Sequence, residues 1–342
     1  MRSVSAEGAV MKREIIVVLF LTSMAVPDHT TRAATDVLRL RLVQTIPLPG
    51  VQGRIDHLAV DVASQRLFVA ALGNNTLEVI DLAAGNRIKS IAGLKKPTGV
   101  RVLPDSHGVV VASGDDGKVR VYDRDLKLLG TVDDLDDADN VRLDPRGRLA
   151  YVGYGEGAIA VIDPGGPKKI GSIKLEGHPE AFQLETGGNR IFVNVPTARQ
   201  VAVIDRQKKA VVARWRLGEA EANFPMALDE PKRRLFVGCR KPARVLVLDT
   251  TSGKTVAAVE CCGDTDDLFY DAAAKRLYVT GGAGCISVVQ QSDPDHYQLL
   301  GTLPTAEGAR TSLFLPETRT LYVAVPRRPN QRAEIRGYRS PE

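Results

Sequence analysis

Residues 263–282, GDTDDLFYDAAAKRLYVTGG, join two short apolar runs through a polar turn. Leu268, Phe269 and Tyr270 precede the turn, Lys275 and Arg276 close it, and Leu277, Tyr278 and Val279 follow. Runs rich in aromatic and β-branched residues at this spacing predict a β-hairpin. The pattern occurs seven times, beginning at His57, Gly99, Asn140, Ala181, Pro225, Asp267 and Thr311. Taking the residue seven before the Phe, Tyr or Val of the second run as an anchor gives Asp61, Leu103, Asp144, Glu185, Asp229, Asp271 and Leu315. The successive spacings are 42, 41, 41, 44, 42 and 44 residues. A period in the low forties with several strands per unit predicts the blades of an all-β, seven-bladed β-propeller.

After each hairpin comes a third run: TLEVIDL at Thr76, KVRVYDR at Lys118, AIAVIDP at Ala158, QVAVIDR at Gln200 and RVLVLDT at Arg244. Weaker copies begin at Cys285 and Ala333. A fourth run follows in RIKSIAGL from Arg87, LKLLGTV from Leu126, VVARWRL from Val211 and TVAAVEC from Thr255. Four antiparallel strands per blade are therefore expected. The seventh repeat reaches its third strand near Tyr338 and the sequence stops. Residues 37–48, VLRLRLVQTIPL, alternate like a half-buried strand but precede the first hairpin and belong to no complete repeat. That N-terminal strand is expected to complete the last blade and close the ring, which removes two open edges. No linker interrupts residues 37–342, which read as a single domain.

The unit formed by RLYVTGG followed by CISVVQQ, or RIFVNVP followed by QVAVIDR, resembles the YVTN-repeat, YncE-like bacterial β-propellers. The resemblance covers residues 41–342. After the Tyr/Phe-Val pair, Ala, Gly or Val often stands where the family carries Thr-Asn. The resemblance implies the propeller fold and leaves the function open, because such folds host many roles.

The N-terminus has a different grammar. Met11, Lys12 and Arg13 precede an apolar run over residues 15–26, and small residues lead to Ala33 and Ala34. This order predicts a secretory signal over residues 1–33, with cleavage after Ala25 or Ala33 and the start at either Met1 or Met11. A buried N-terminal helix is the competing reading. The expected location is periplasmic or extracellular. Elsewhere no stretch reaches a membrane span, and a net charge of +5 is too mild to imply nucleic acid. Cys-x-x-Cys-His is absent, which argues against covalent haem, and so is a Gly-Lys-Ser/Thr phosphate loop, which argues against a nucleotide. The single Trp argues against the tryptophan-marked blades of quinoprotein dehydrogenases.

In a propeller the first strand of each blade lines the central channel. The loops leading into it share one face with the loops between strands two and three. Five residues before each anchor, at that mouth, stand Asp56, Thr98, Asp139, Glu180, Phe224, Asp266 and Arg310. The next position holds His57, Gly99, Asn140, Ala181, Pro225, Asp267 and Thr311, with His178 and Asn223 just upstream. Four carboxylates facing one funnel repel one another and need a partner: a cation, a basic ligand, Arg310 or a proton. Three roles stay open for them, namely fixing the blades through loop hydrogen bonds, binding a ligand or metal, and catalysis. Oxygen ligands with occasional nitrogen suit a divalent cation such as Ca²⁺ better than zinc. Arg199, Arg240, Lys241, Arg244, Arg327, Arg328 and Arg332 are expected around the same mouth, either as a basic rim or as solvated loop charges.

Cys239, Cys261, Cys262 and Cys285 map to the mouth side of blades five and six. In an exported protein they can oxidise. A bond between the adjacent Cys261 and Cys262 is strained, so each is expected to reach a different partner, Cys239 or Cys285. Free buried thiols and a soft-metal site are the alternatives. The sequence as a whole predicts an exported, monomeric propeller whose mouth binds a small ligand, a cation or a partner protein. A metal-dependent hydrolase or lactonase acting through the same carboxylates is the rival reading.

Overall fold

The computed structural model describes Met1, residues 40–145 and residues 148–340. The expected secretory segment, residues 37–39 of the expected first strand and the last two residues lie outside the described residues. Seven antiparallel four-stranded sheets form the fold. Blades 1 to 6 each use four consecutive strands, over residues 58–91, 97–132, 141–174, 182–216, 221–260 and 265–304. Blade 7 takes Ser312–Leu315, Thr320–Val325 and Glu334–Arg339 from the C-terminal end and Arg41–Pro47 from the N-terminal end. The closing strand runs antiparallel to Glu334–Arg339, with Ile46 opposite Ile335 and Leu42 opposite Tyr338. Blades 3 and 6 have fourth strands that the sequence did not mark, Lys168–Lys174 and His296–Pro304.

Burial explains the hydrophobic pattern of each repeat. The second strand is an almost continuous apolar run, as in Val109–Ser113, because neighbouring blades cover both of its faces. The fourth strand alternates, as in Ala210–Arg216, because one face meets solvent at the rim. Seven separate apolar clusters occupy the seven interfaces between blades. One of them joins Ile46, Leu48 and Ile335 to Leu67, Val69 and Ile80, so blade 7 packs against blade 1 as every other pair packs. The ring is closed.

Two acidic positions recur for local reasons. The anchor accepts hydrogen bonds from the hairpin turn, as Asp144 does from the Leu149 N–H at 2.8 Å and Asp271 from the Ala273 N–H at 3.0 Å. The Asp ending the third strand does the same one turn later: the Ala84 N–H reaches Asp81 at 2.9 Å, and the Gln207 N–H reaches Asp205 at 2.9 Å. A short polar side chain that bonds its own turn holds the chain reversal in place. These carboxylates are structural and lie apart from the mouth. No helix among the described residues is long and apolar enough to cross a membrane.

Of the two bridges expected from the cysteines, one is present. Cys262, in the loop leading into blade 6, is bonded to Cys285 at the start of its third strand, with the Cα atoms 5.9 Å apart. Cys239 and Cys261 are thiols. The correction has a geometric cause. Cys239 lies on the second strand of blade 5 and Cys261 just past the fourth, with Ala243–Asp249 between them. Two inter-strand spacings are about 9.5 Å, too far for a disulfide. Thiol titration of the unreduced, denatured protein is expected to find two free thiols; four would remove the bridge. Cys262→Ser should lower stability by about 3 kcal/mol, the loop-closure value for a ring of this length.

Candidate functional site

The mouth is built by one backbone geometry repeated around the ring. The N–H groups of Asp56, Asp139 and Glu180 donate to the carbonyls of Ala70, Gly153 and Asn194 on the second strand of the same blade, at 2.7, 2.9 and 3.0 Å. Strand two donates back to the following residue, His57, Asn140 or Ala181, at 3.0 to 3.1 Å. Equivalent positions in sequence therefore become equivalent positions in space. Glycine is required at Gly99, where a Cβ would overlap the carbonyl oxygen of Asp139 in the next blade.

Around this ring the carboxylates have unequal partners. Arg54, two residues before Asp56, places Nη2 3.2 Å from Asp56 Oδ2 and 3.3 Å from Asp266 Oδ2, crossing from blade 1 to blade 6. Asp56 itself is 3 % exposed. Arg240 Nη2 lies 2.6 Å from Asp266 Oδ1, while its guanidinium sits 3.6 Å from the centre of the Phe224 ring. Stacking on an aromatic face holds the arginine with little loss of charge. Arg310 pairs with Asp264 at 2.6 Å and not with the ring carboxylates. Asp267 lies deeper, accepting from the Ser312 N–H at 2.8 Å and facing His57 Nδ1 at 3.6 Å.

Asp139, His178 and Glu180 form a second group. One ligand atom from each falls within 4.8 Å of the others. His178 Nδ1 is 2.7 Å from the Gly155 carbonyl oxygen, which can only accept, so Nδ1 carries the proton. Nε2 is left facing Asp139 Oδ2 at 4.0 Å. Glu180 makes no side-chain hydrogen bond or ion pair among the described residues. Burial, then Asp139 and Asp266, push its carboxyl up to about 8 against His178 and Arg240. Burial pushes Asp266 up to about 6 in spite of Arg240 and Arg54. For His57 and His178 burial acts downward, but the carboxylates beside them prevail and raise both to about 9. Asp139 is held below its ordinary value, because the His178 contact and nearby cations outweigh its burial.

Other predicted residues sit elsewhere. Asn223 is fully buried and donates through Nδ2 to Asn194 Oδ1 at 2.9 Å and the Gln200 carbonyl at 3.0 Å, tying blade 4 to blade 5. Asn140 is 2 % exposed and points into the interior. Arg199 and Arg328 pair with Glu221 and Glu307 at the surface. Arg54 was not marked by the sequence reading, since it precedes the repeat; a lone cation just before an acidic ring position was the available signal. Among the expected rim residues, Arg240 reaches a ring carboxylate directly, Asp266 at 2.6 Å, while its guanidinium lies over the Phe224 ring.

A ring of seven such blades around a polar, carboxylate-lined mouth defines a seven-bladed β-propeller with a candidate site at the channel end. No family model matches the chain. YncE of Salmonella typhimurium and YncE of Salmonella typhi are each 23 % identical to it over 240 residues, covering 65 % of this chain and 67 % of theirs. Among solved structures, a chain of Kuenenia stuttgartiensis hydrazine synthase superposes with a TM-score of 0.70 at 18 % identity, over 81 % of this chain and 95 % of that one. A chain of a mitotic checkpoint complex gives 0.75 at 14 %, over 97 % and 99 %. Those two likenesses speak for the fold alone. The chain is a seven-bladed β-propeller, similar in sequence to YncE.

Proposed function

We propose that this is an exported, monomeric binding protein that holds a divalent cation at the channel mouth through Asp139, His178 and Glu180, and an anionic small molecule beside it. The observation that carries the reading is the bond from His178 Nδ1 to the Gly155 carbonyl. A carbonyl that fixes the imidazole tautomer and orientation is the usual outer partner of a metal-binding histidine. Once the imidazole is neutral, that bond leaves the Nε2 lone pair facing Asp139, in one group with Glu180, whose carboxylate makes no hydrogen bond or ion pair among the described residues. Two oxygens and one nitrogen favour a transition-series ion such as Zn²⁺, or Mn²⁺ on a carboxylate-rich set, over the Ca²⁺ expected from oxygen ligands alone. Arg54, with 47 % of its side chain exposed, supplies positive charge for an anion at the same mouth. Export rests on the N-terminal sequence pattern and agrees with the Cys262–Cys285 bridge.

Metal analysis and thermal shift with Zn²⁺, Mn²⁺, Ca²⁺ and Mg²⁺ test the site. Zn²⁺ or Mn²⁺ at a hundred times its Kd should stabilise the protein by about 2.7 kcal/mol, and His178→Ala should remove the effect. A response to Ca²⁺ alone, or to none of the four, would overturn the assignment. Turnover of a lactone or ester panel that depends on the bound metal would replace the binding reading with a hydrolase.

A further inference from the structure

Two residues before each anchor stand Ala59, Arg101, Arg142, Gln183, Ala227, Phe269 and Leu313, of which Arg101, Arg142, Phe269 and Leu313 line a cavity below the mouth. Two arginines from adjacent blades thus stand side by side in an otherwise neutral ring. Gln183 shows what this position does for the fold, donating to the Met226 carbonyl of the next blade at 2.8 Å. Arg101 does likewise, with Nε 3.1 Å from the Val141 carbonyl oxygen. Arg142 does not reach forward: its Nη1 turns back to that same Val141 oxygen at 3.0 Å. Both guanidiniums therefore converge on one acceptor.

These contacts leave most of their donors unused. A guanidinium carries five N–H groups, and among the described residues each of the two makes one hydrogen bond and neither has a carboxylate within 4.0 Å. Arg142 Nε is buried with no partner. Asp267, the acidic group nearest them, is already committed to the Ser312 N–H and His57. Burial, then Arg101, push Arg142 down to about 9, with only partial support from Asp267. Because arginine gives up its proton so reluctantly, a counter-anion is the more economical remedy. Between them and His57, Asp267, Phe269 and Leu313 lies a cavity of about 20 Å³, room for one water molecule or one ion of similar size.

We infer that the channel floor binds a single halide-sized inorganic anion between Arg101 and Arg142. The anion would take the free N–H groups of both guanidiniums, offset their repulsion and reinforce the direct bond by which Arg101 already ties blade 2 to blade 3. This site involves none of the three metal ligands proposed above and stands or falls without them.

Crystals of the purified protein grown in sodium bromide provide the direct test, since bromide is located by its anomalous scattering. One strong peak within hydrogen-bonding distance of both guanidiniums is expected. In solution, the melting temperature should rise with sodium chloride more than with sodium gluconate at equal ionic strength, because gluconate is too large for the cavity. Arg142→Gln should remove both the peak and the chloride-specific rise. An ordered water with no bromide at that position, or equal responses to chloride and gluconate in the unsubstituted protein, would overturn the inference. Those two measurements decide it even if Arg142→Gln does not fold.

Discussion

Deletion of residues 40–48 is expected to turn a cooperative monomer into an aggregating chain. The segment supplies the outer strand of blade 7, pairing with Glu334–Arg339 along its whole length. Its loss bares the N–H and C=O groups of that strand, a template for pairing with other molecules. It also removes Ile46 and Leu48, both essentially inaccessible, from the cluster that seals blade 7 to blade 1. The other six interfaces would survive, but a ring with one failed joint opens into two edges. The milder Ile46→Ala should keep the strand and cost about 2 to 5 kcal/mol, the usual range for truncating a buried aliphatic residue. Size-exclusion chromatography and thermal melts check both. A monomeric deletion variant with an unchanged melting curve would show that closure does not need the strand.

The fold was legible because each blade repeats one physical problem. Apolar runs such as Leu277, Tyr278 and Val279 must be buried on both faces, and the turns around Asp271 and Asp249 need short acidic side chains. Seven copies at nearly constant spacing leave little freedom in how they are arranged. The site was legible only as a list of positions. Spacing could put Asp56, Asp139, Glu180 and Asp266 on one ring, but it could not say which of them would find a cation. That depended on Arg54, outside the repeat, and on whether Arg240 would lie over Phe224. It depended also on a backbone carbonyl, Gly155, whose bond to His178 no residue identity announces. The same holds for the cysteines. Their places were readable, but the strand standing between Cys239 and Cys261 decided which pair could bond.

Those unequal partnerships give the protein an expected dependence on pH. His57 and His178 are raised to about 9, Glu180 to about 8 and Asp266 to about 6. Each of these groups holds its proton in the folded state at pH values where the unfolded chain has released it. For such a group the contribution to stability is complete below its unfolded pKa and disappears as pH rises through the folded one. Asp266 therefore loses its share between about pH 4 and 6, Glu180 between about 4.5 and 8, and the histidines between about 6.5 and 9. Asp139 has the opposite sign, but its effect falls below its ordinary pKa and outside this range. The losses are not additive, because ionising Glu180 strengthens the hold of His178 on its own proton. A net fall in stability between pH 5 and 9 is expected for the protein in excess chelator, read as a declining urea midpoint. Glu180→Gln should flatten the section from pH 5 to 8 and make the protein more stable than its parent at pH 8. A divalent cation that displaces these protons should stabilise most at the alkaline end, where the carboxylates are otherwise charged and uncompensated. A midpoint that stays level or climbs from pH 5 to 9 would mean that the mouth carboxylates are hydrated and independent, with no shared charge for a ligand to relieve.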